Sequence, residues 1–259
     1  MNENKPIPGN GAALITGGAK RVGRAITLAL ADAGYVVAVH MKTISPETQA
    51  FCDDINAKGG RAVPLAGDLS NHEHVRTLVP QAVAAVGPLT LLVNNASIFQ
   101  PDEVGKLDRD GFDRHMAVNL RAPVFLSEAF AAQAAKGANA SIVNIVDQRV
   151  LKPTPLFFSY ALSKNGLYAA THMLAQALAP KVRVNAIGPG PTLPSSRQSE
   201  EEFARQTATL PLGHGSRPEH IAEAVLFLAR AVSITGQMLA VDGGQHIAWQ
   251  TPDVVGIGE

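Results

Sequence analysis

The sequence predicts an α/β fold: a doubly wound parallel sheet of about seven strands with helices on both faces. Three observations carry that expectation. Short apolar, often β-branched runs alternate with helical stretches of about 10–15 residues. Glycine or proline punctuates most of the joins between them. No Gly/Ser-rich linker, internal repeat or low-complexity block divides the 259 residues, so one domain over 1–259 is expected.

The elements follow in order. The first strand is 12–16. It runs into a turn, Gly17-Gly18-Ala19-Lys20-Arg21-Val22-Gly23, and an amphipathic helix to about residue 33, stopped by Gly34. A second apolar run, 35–39, ends at His40, Met41 and Lys42. A helix over 46–58 stops at Gly59-Gly60, and a third strand, 61–66, leads into Gly67, Asp68 and Leu69. Helix 71–86 precedes a fourth strand, 89–93, and a loop over 94–100 carries Asn95, Ala96, Ser97 and Phe99. Two helices, 110–119 and 123–136, come before the β-branched strand 141–146, which ends at Asp147. The helix expected over 159–178 begins with Tyr160, Ser163 and Lys164. A sixth strand, 182–187, is broken by Gly188-Pro189-Gly190-Pro191. Residues 192–216 are polar and irregular, apart from a short helix near 200–207, and read as a substrate lid. Helix 218–230 has Pro218 in its first turn. A last strand, 237–241, ends in Asp242-Gly243-Gly244, and the tail 245–259 holds the one tryptophan, Trp249.

Composition narrows the partners. Hydrophobic residues make up 46% of the chain, enough for a sizeable core. Lys+Arg and Asp+Glu are both 22, a balance that argues against a nucleic-acid or anionic-membrane surface. Cys52 is the single cysteine, which excludes an internal disulfide and fits a reducing compartment. The N-terminus has no apolar signal region and reads as a short disordered lead, and no run is long enough to span a membrane. A cytoplasmic protein with a small-molecule substrate is expected. Eight histidines are spread along the chain without a metal-binding spacing, so no metal site is expected.

The chemistry collects at the carboxyl ends of the strands, where a doubly wound sheet places its ligands. Glycines between the first strand and first helix aim backbone N–H groups at a phosphate. The spacing is T-G-x-x-x-R-x-G rather than G-x-G-x-x-G, and an ordinary turn with solvated bases would look similar. An acidic residue ending the second strand would bond a ribose 2′-hydroxyl, whereas a base suits a 2′-phosphate. Here stand His40, Met41 and Lys42 with no carboxylate, so Lys42 with Lys20 favours NADP over NAD. Tyr160 and Lys164 are i and i+4, on one helix face. An ammonium there would lower the phenol pKa and make it a proton donor or acceptor. A half-buried tyrosine beside a solvated lysine gives the same spacing.

With these parts in order, the chain resembles the short-chain dehydrogenase/reductase family along nearly its whole length. The matching pieces are Thr16-Gly17 with Gly23, Asp68-Leu69, Asn94-Asn95-Ala96, Asn119, Tyr160 with Lys164, Gly188-Pro189-Gly190 and Asp242-Gly243-Gly244. Two departures stand out. Arg21 replaces the usual middle glycine, and Asp147 stands where the family usually has serine. Together with Ser97 and Phe99 they resemble the pteridine reductase branch, which includes dihydromonapterin reductases.

The resemblance implies a Rossmann-type NADP-dependent reductase. Asp147, Tyr160, Lys164 and Asn119 would be catalytic. Phe99 would stack on the substrate, with Arg21 and Ser97 facing cofactor phosphate and substrate. Gly17, Lys20, Val22, His40, Met41, Lys42, Asp68, Leu69, Asn95, Ala96, Gly190 and Thr192 would line the cofactor site. It also implies a homotetramer paired through the apolar helices 123–136 and 159–178. Phe99 would supply a face for a flat pterin, although loop packing is the alternative. Asp147 would bond substrate donors or relay a proton, or else cap the following turn. An ionised Asp147 would oppose a Tyr160 phenolate, so the pair should titrate together. The competing readings are a ketone, oxoacyl or sugar reductase using the same Tyr160 and Lys164, and an NADP-binding sensor without catalysis.

Overall fold

The computed structural model describes residues 11–135, 137–195 and 197–250. Seven parallel strands form one sheet: β1 (Ala12–Thr16), β2 (Val36–Met41), β3 (Arg61–Ala66), β4 (Leu89–Asn94), β5 (Ala140–Ile145), β6 (Val182–Pro189) and β7 (Met238–Val241). Their spatial order is β3-β2-β1-β4-β5-β6-β7. The order reverses between β1 and β4, which opens a crevice at their carboxyl ends.

The alternation of side chains along each strand divides the core into two layers. Leu14, Leu92, Ile142 and Val184 face α3 (His72–Val86), α5 (Ala122–Gln133) and α6 (Phe158–Leu178), burying Leu78, Leu126 and Phe130. Ile15, Val39, Val93 and Val143 face the other way, onto α1 (Arg21–Asp32), α2 (Pro46–Ala57) and α8 (Pro218–Arg230), where Ile26, Phe51 and Val225 are buried. Two further helices, α4 (Arg109–Met116) and α7 (Glu200–Ala208), flank the carboxyl ends. Capping matches the sequence: Asn71 accepts the N–H groups of Glu73 and His74, and Ser199 forms a reciprocal box with Glu202.

Three boundaries depart from expectation. The helices expected as 110–119 and 123–136 are continuous, because a π turn over Ala117–Arg121 joins α4 to α5. There the Ala122 N–H reaches back to the Ala117 carbonyl, and the widened turn delivers Pro123, which has no N–H to give, into the first turn of α5. The second strand continues through His40 and Met41, which pair with Leu65 and Ala66 of β3. The sixth continues through Gly188 and Pro189, which pair with Ala240 and Val241 of β7. Among the described residues, no helix is long and apolar enough to cross a membrane. The expected N-terminal lead falls mostly, and the end of the tail wholly, outside the described residues.

Phe130 is fully buried between α5 and the sheet. Phe130→Ala should cost about 3–5 kcal/mol of unfolding free energy. Urea denaturation measures this, and a loss below about 1 kcal/mol would contradict the packing described.

Candidate active site

The carboxyl ends of the strands enclose a cleft of about 1290 Å³. Its floor is fixed by a clamp between the first and fourth strands. The Thr16 hydroxyl oxygen accepts the N–H groups of Asn95 (2.9 Å) and Ala96 (3.0 Å). The Asn95 side chain donates to the carbonyls of Thr16 (2.8 Å) and Gly17 (3.2 Å). Gly17 has φ +65°, in the left-handed region, and a Cβ at Gly23 would run into the Gly17 carbonyl oxygen. The turn therefore closes tightly against 95–96, leaving the amino end of α1 facing the cleft.

Arg21 takes the left-handed position (φ 50°) where a glycine would be unstrained. Its guanidinium crosses to the 192–216 segment and donates to the carbonyls of Pro194 (3.1 Å) and Leu193 (3.3 Å). Val22 lines the cleft beside it. His40 is buried and shapes the turn: Nε2 bonds the Gly67 carbonyl (2.8 Å), and Nδ1 accepts the Gly17 N–H (3.4 Å). Burial depresses its pKa. The Met41 sulfur accepts the Ala19 N–H. Lys42 is ion-paired with Asp68 at 2.7 Å, with its side chain 74% exposed. The lysine and the Ser70 hydrogen bonds hold the Asp68 carboxyl down at about 2. Lys20 also opens onto the cleft, so two cations flank the end of β2.

The chemical end is built from β5, the turn after it and α6. Asp102 accepts the Ser159 N–H (3.1 Å) and helps set the start of α6. One helical turn then separates Tyr160 and Lys164, both buried. The Tyr160 hydroxyl donates to Asp147 Oδ2 at 2.7 Å, while Asp147 Oδ1 accepts the Arg149 N–H at 2.8 Å. The carboxylate thus caps the short turn Gln148–Val150 and holds the phenol at once. Lys164 Nζ donates to the Ile145 carbonyl at 2.7 Å and lies 5.8 Å from the Tyr160 ring centre.

The expected lowering of the Tyr160 pKa by Lys164 is not found. Burial, and next the charge and hydrogen bond of Asp147, push the phenol well above its ordinary value, and the nearby Arg149 offsets this only in part. Burial brings Lys164 down to about 8, against the pull of Asp147. The shared helix face is present, but desolvation outweighs the ammonium's effect on the phenol.

Apart from Asn119, the residues expected to be catalytic or to contact cofactor or substrate all line this cleft, including Leu69, Ser97, Gly190 and Thr192. Thr192 donates to the Gly190 carbonyl (3.0 Å). Asn119 sits behind the cleft, in the π turn, fully buried. Its side chain bonds both the N–H and the carbonyl of Ile98, accepts from Ser97 and donates to Ser163, and these bonds do not include Lys164. Phe99 lines the cleft, but Phe157 already lies on it, 4.3 Å between ring centres and 13° from parallel. Sequence reasoning missed Phe157, Arg149 and Arg197, all of which line the same space. Arg149 was marked only by following Asp147 by two residues. Nothing in the spacing announced Phe157 or Arg197.

The sequence pattern of the family described as enoyl-(acyl carrier protein) reductase matches residues 17–246. The chain belongs to the short-chain dehydrogenase/reductase family. It is similar to the structure of FolM alternative dihydrofolate reductase 1 from Brucella suis in complex with NADP, at 50% identity and a TM-score of 0.92, covering 95% of this chain and 99% of that one. It is 34% identical over 240 residues to L-xylulose reductase of Mesocricetus auratus, covering 90% of this chain and 95% of that protein. It is 31% identical over 237 residues to the 3-oxoacyl-[acyl-carrier-protein] reductase FabG of Thermotoga maritima, covering 89% and 96%. The seven-strand parallel sheet with helices on both sides is the architecture expected of this family.

Asp147→Asn removes the charge that raises both neighbours. The Lys164 pKa should fall below about 8, and the Tyr160 pKa should fall while burial keeps it elevated. Lysine NMR titration and a tyrosinate absorbance titration, each read against Tyr160→Phe, measure the shifts. A rise in either would contradict the arrangement.

Proposed function

We propose that this protein is an NADPH-dependent reductase of a flat, pterin-like heteroaromatic, acting on a C=N bond. The observation that carries the reading is the 2.7 Å hydrogen bond from Tyr160 to Asp147, at the position where ketone reductases of the family usually carry serine. The 50% identity to FolM alternative dihydrofolate reductase 1, against 34% and 31% to the carbonyl reductases, supports it.

The cleft fits a dinucleotide with a 2′-phosphate. The glycine turn leaves no room for a Cβ at Gly23, so backbone can approach a phosphate at the amino end of α1. Lys20 and Lys42 would hold the 2′-phosphate, with Asp68 keeping Lys42 in place. Leu69, Asn95, Ala96, Gly190 and Thr192 would line the remainder. When bound, NADPH would supply a hydride for the ring carbon of the C=N bond, leaving the nitrogen to be protonated by the protein.

The chain's own residues govern that proton. Tyr160 keeps its hydroxyl hydrogen to high pH, so it serves as a donor near neutrality. Lys164 would orient the ribose and, largely protonated below about pH 8, balance the negative charge left on the Tyr160/Asp147 pair. Ser97 would face the substrate. Phe99 would stack on its ring in the place Phe157 now takes, and the 192–216 segment, tied to Arg21, would close over both. Asn119 would hold the 97–98 loop and Ser163 in place from behind. Phe125 on α5, and Leu162 and Met173 on α6, are exposed apolar side chains that support a tetramer paired through these helices.

The second reading is carbonyl reduction, with Tyr160 protonating a ketone oxygen, and the 34% and 31% relatives favour it. NADPH oxidation assays with dihydrobiopterin, dihydromonapterin, a 3-oxoacyl thioester and L-xylulose separate the two. The pterin reading expects turnover of a dihydropterin, with kcat lowered roughly 10²–10⁴-fold in Tyr160→Phe. Turnover of only the carbonyl compounds would contradict it.

A further inference from the structure

We infer that Arg149 and Arg197 form a subsite for an anionic group carried on the substrate ring. This deepens the reading of the cleft as a reductase site for a flat heteroaromatic and rests on it. The Arg149 guanidinium lies 5.5 Å from the Phe99 ring centre and 5.3 Å from that of Phe157. That of Arg197 lies 5.3 Å and 5.7 Å from the same two rings. Two cations from separate parts of the chain, the turn after β5 and the 192–216 segment, thus border the aromatic pair where a ring substrate would stack.

Neither cation has an anion of its own among the described residues. Among the described residues, no carboxylate pairs with Arg149, and its Nη1 is buried without a hydrogen-bond partner. A guanidinium so placed lacks the charge-assisted bonds that normally accompany burial. The Arg197 guanidinium donates, among the described residues, only to the Phe99 carbonyl, at 3.3 Å. The carboxylates that line the cleft are otherwise engaged. Asp147 is held by the Tyr160 hydroxyl and the Arg149 backbone N–H, and Glu202 closes the box with Ser199. Elsewhere in the cleft, Lys42 has Asp68, Lys164 has the Ile145 carbonyl, and Arg21 has Leu193 and Pro194. Positive charge is therefore left over beside the rings.

Guanidinium forks recognise carboxylate and phosphate alike. A pterin with a glutamyl tail and one with a phosphorylated side chain share the required chemistry, and a pterin with an uncharged side chain lacks it. Phe99 would read the ring, and the two arginines would read the charge.

Equilibrium binding to the enzyme–NADP complex tests this with 7,8-dihydrofolate, 7,8-dihydroneopterin monophosphate and 7,8-dihydrobiopterin. At low salt, one or both anionic compounds should bind about tenfold or more tighter than dihydrobiopterin, as expected for a hydrogen-bonded charge pair. Which of them does so identifies carboxylate or phosphate. Arg149→Met and Arg197→Met should each reduce that affinity ratio severalfold, Arg149→Lys should keep part of it, and added salt should lower it. Arg197 is exposed, so its variant tests the subsite even if Arg149→Met fails to fold. Equal affinity for charged and neutral pterins, or a ratio unchanged in Arg197→Met and in whichever Arg149 variant folds, would overturn the inference. Turnover of the same compounds judges the reductase reading separately. Charge-dependent binding without turnover would overturn that reading and leave the subsite standing.

Discussion

The hydroxyl of the buried Tyr160 donates to Asp147 at the wall of the cleft, and much of the cleft serves to hold those two groups together. Asp147 comes from the end of β5 and Tyr160 from the first turn of α6. Asp102 pins the start of that helix, and Lys164, one turn on, is fastened to the Ile145 carbonyl at the end of the same strand. A carboxylate against a buried phenol keeps the phenol protonated, because ionising it would place two negative charges side by side. The arrangement therefore holds a proton donor in readiness near neutral pH.

A second constraint acts at the point where the strand order reverses. The Thr16 and Asn95 hydrogen bonds lock the first strand to the loop after the fourth. That lock positions the glycine turn, and His40 and Met41 bind the turn from the neighbouring strand. The cations at the end of β2 then look onto the same crevice as the Tyr160/Asp147 pair. On the proposed reading, one end of the cleft would take the phosphorylated dinucleotide and the other the substrate ring, and Arg21 links the turn to the segment above it.

The sheet was legible because strand and helix patterns alternate so regularly, and because the punctuating glycines and prolines fall at the joins. The residues around the cleft were legible because they fall at strand ends in a fold whose ligands bind there. What escaped depends on distance in the chain and on burial. Lys42 read as a free cation because Asp68, its partner, lies beyond a helix and a strand. His40 lines the cleft, and spacing did not show that its ring bonds Gly17 and Gly67. The break expected between 119 and 123 is absorbed by a π turn. The ionisation of Tyr160 was misjudged because spacing shows which charges are near but not how much water has been removed.

The central claim is that Asp147, rather than serine, suits this site to a C=N bond. Replacing Asp147 with serine and comparing kcat/KM for a dihydropterin with that for a 3-oxoacyl thioester tests it most directly. The account predicts that the pterin value falls by about tenfold or more while the carbonyl value holds or rises, shifting the ratio toward carbonyl reduction. A variant that keeps its pterin activity, or loses both activities in proportion, would contradict it.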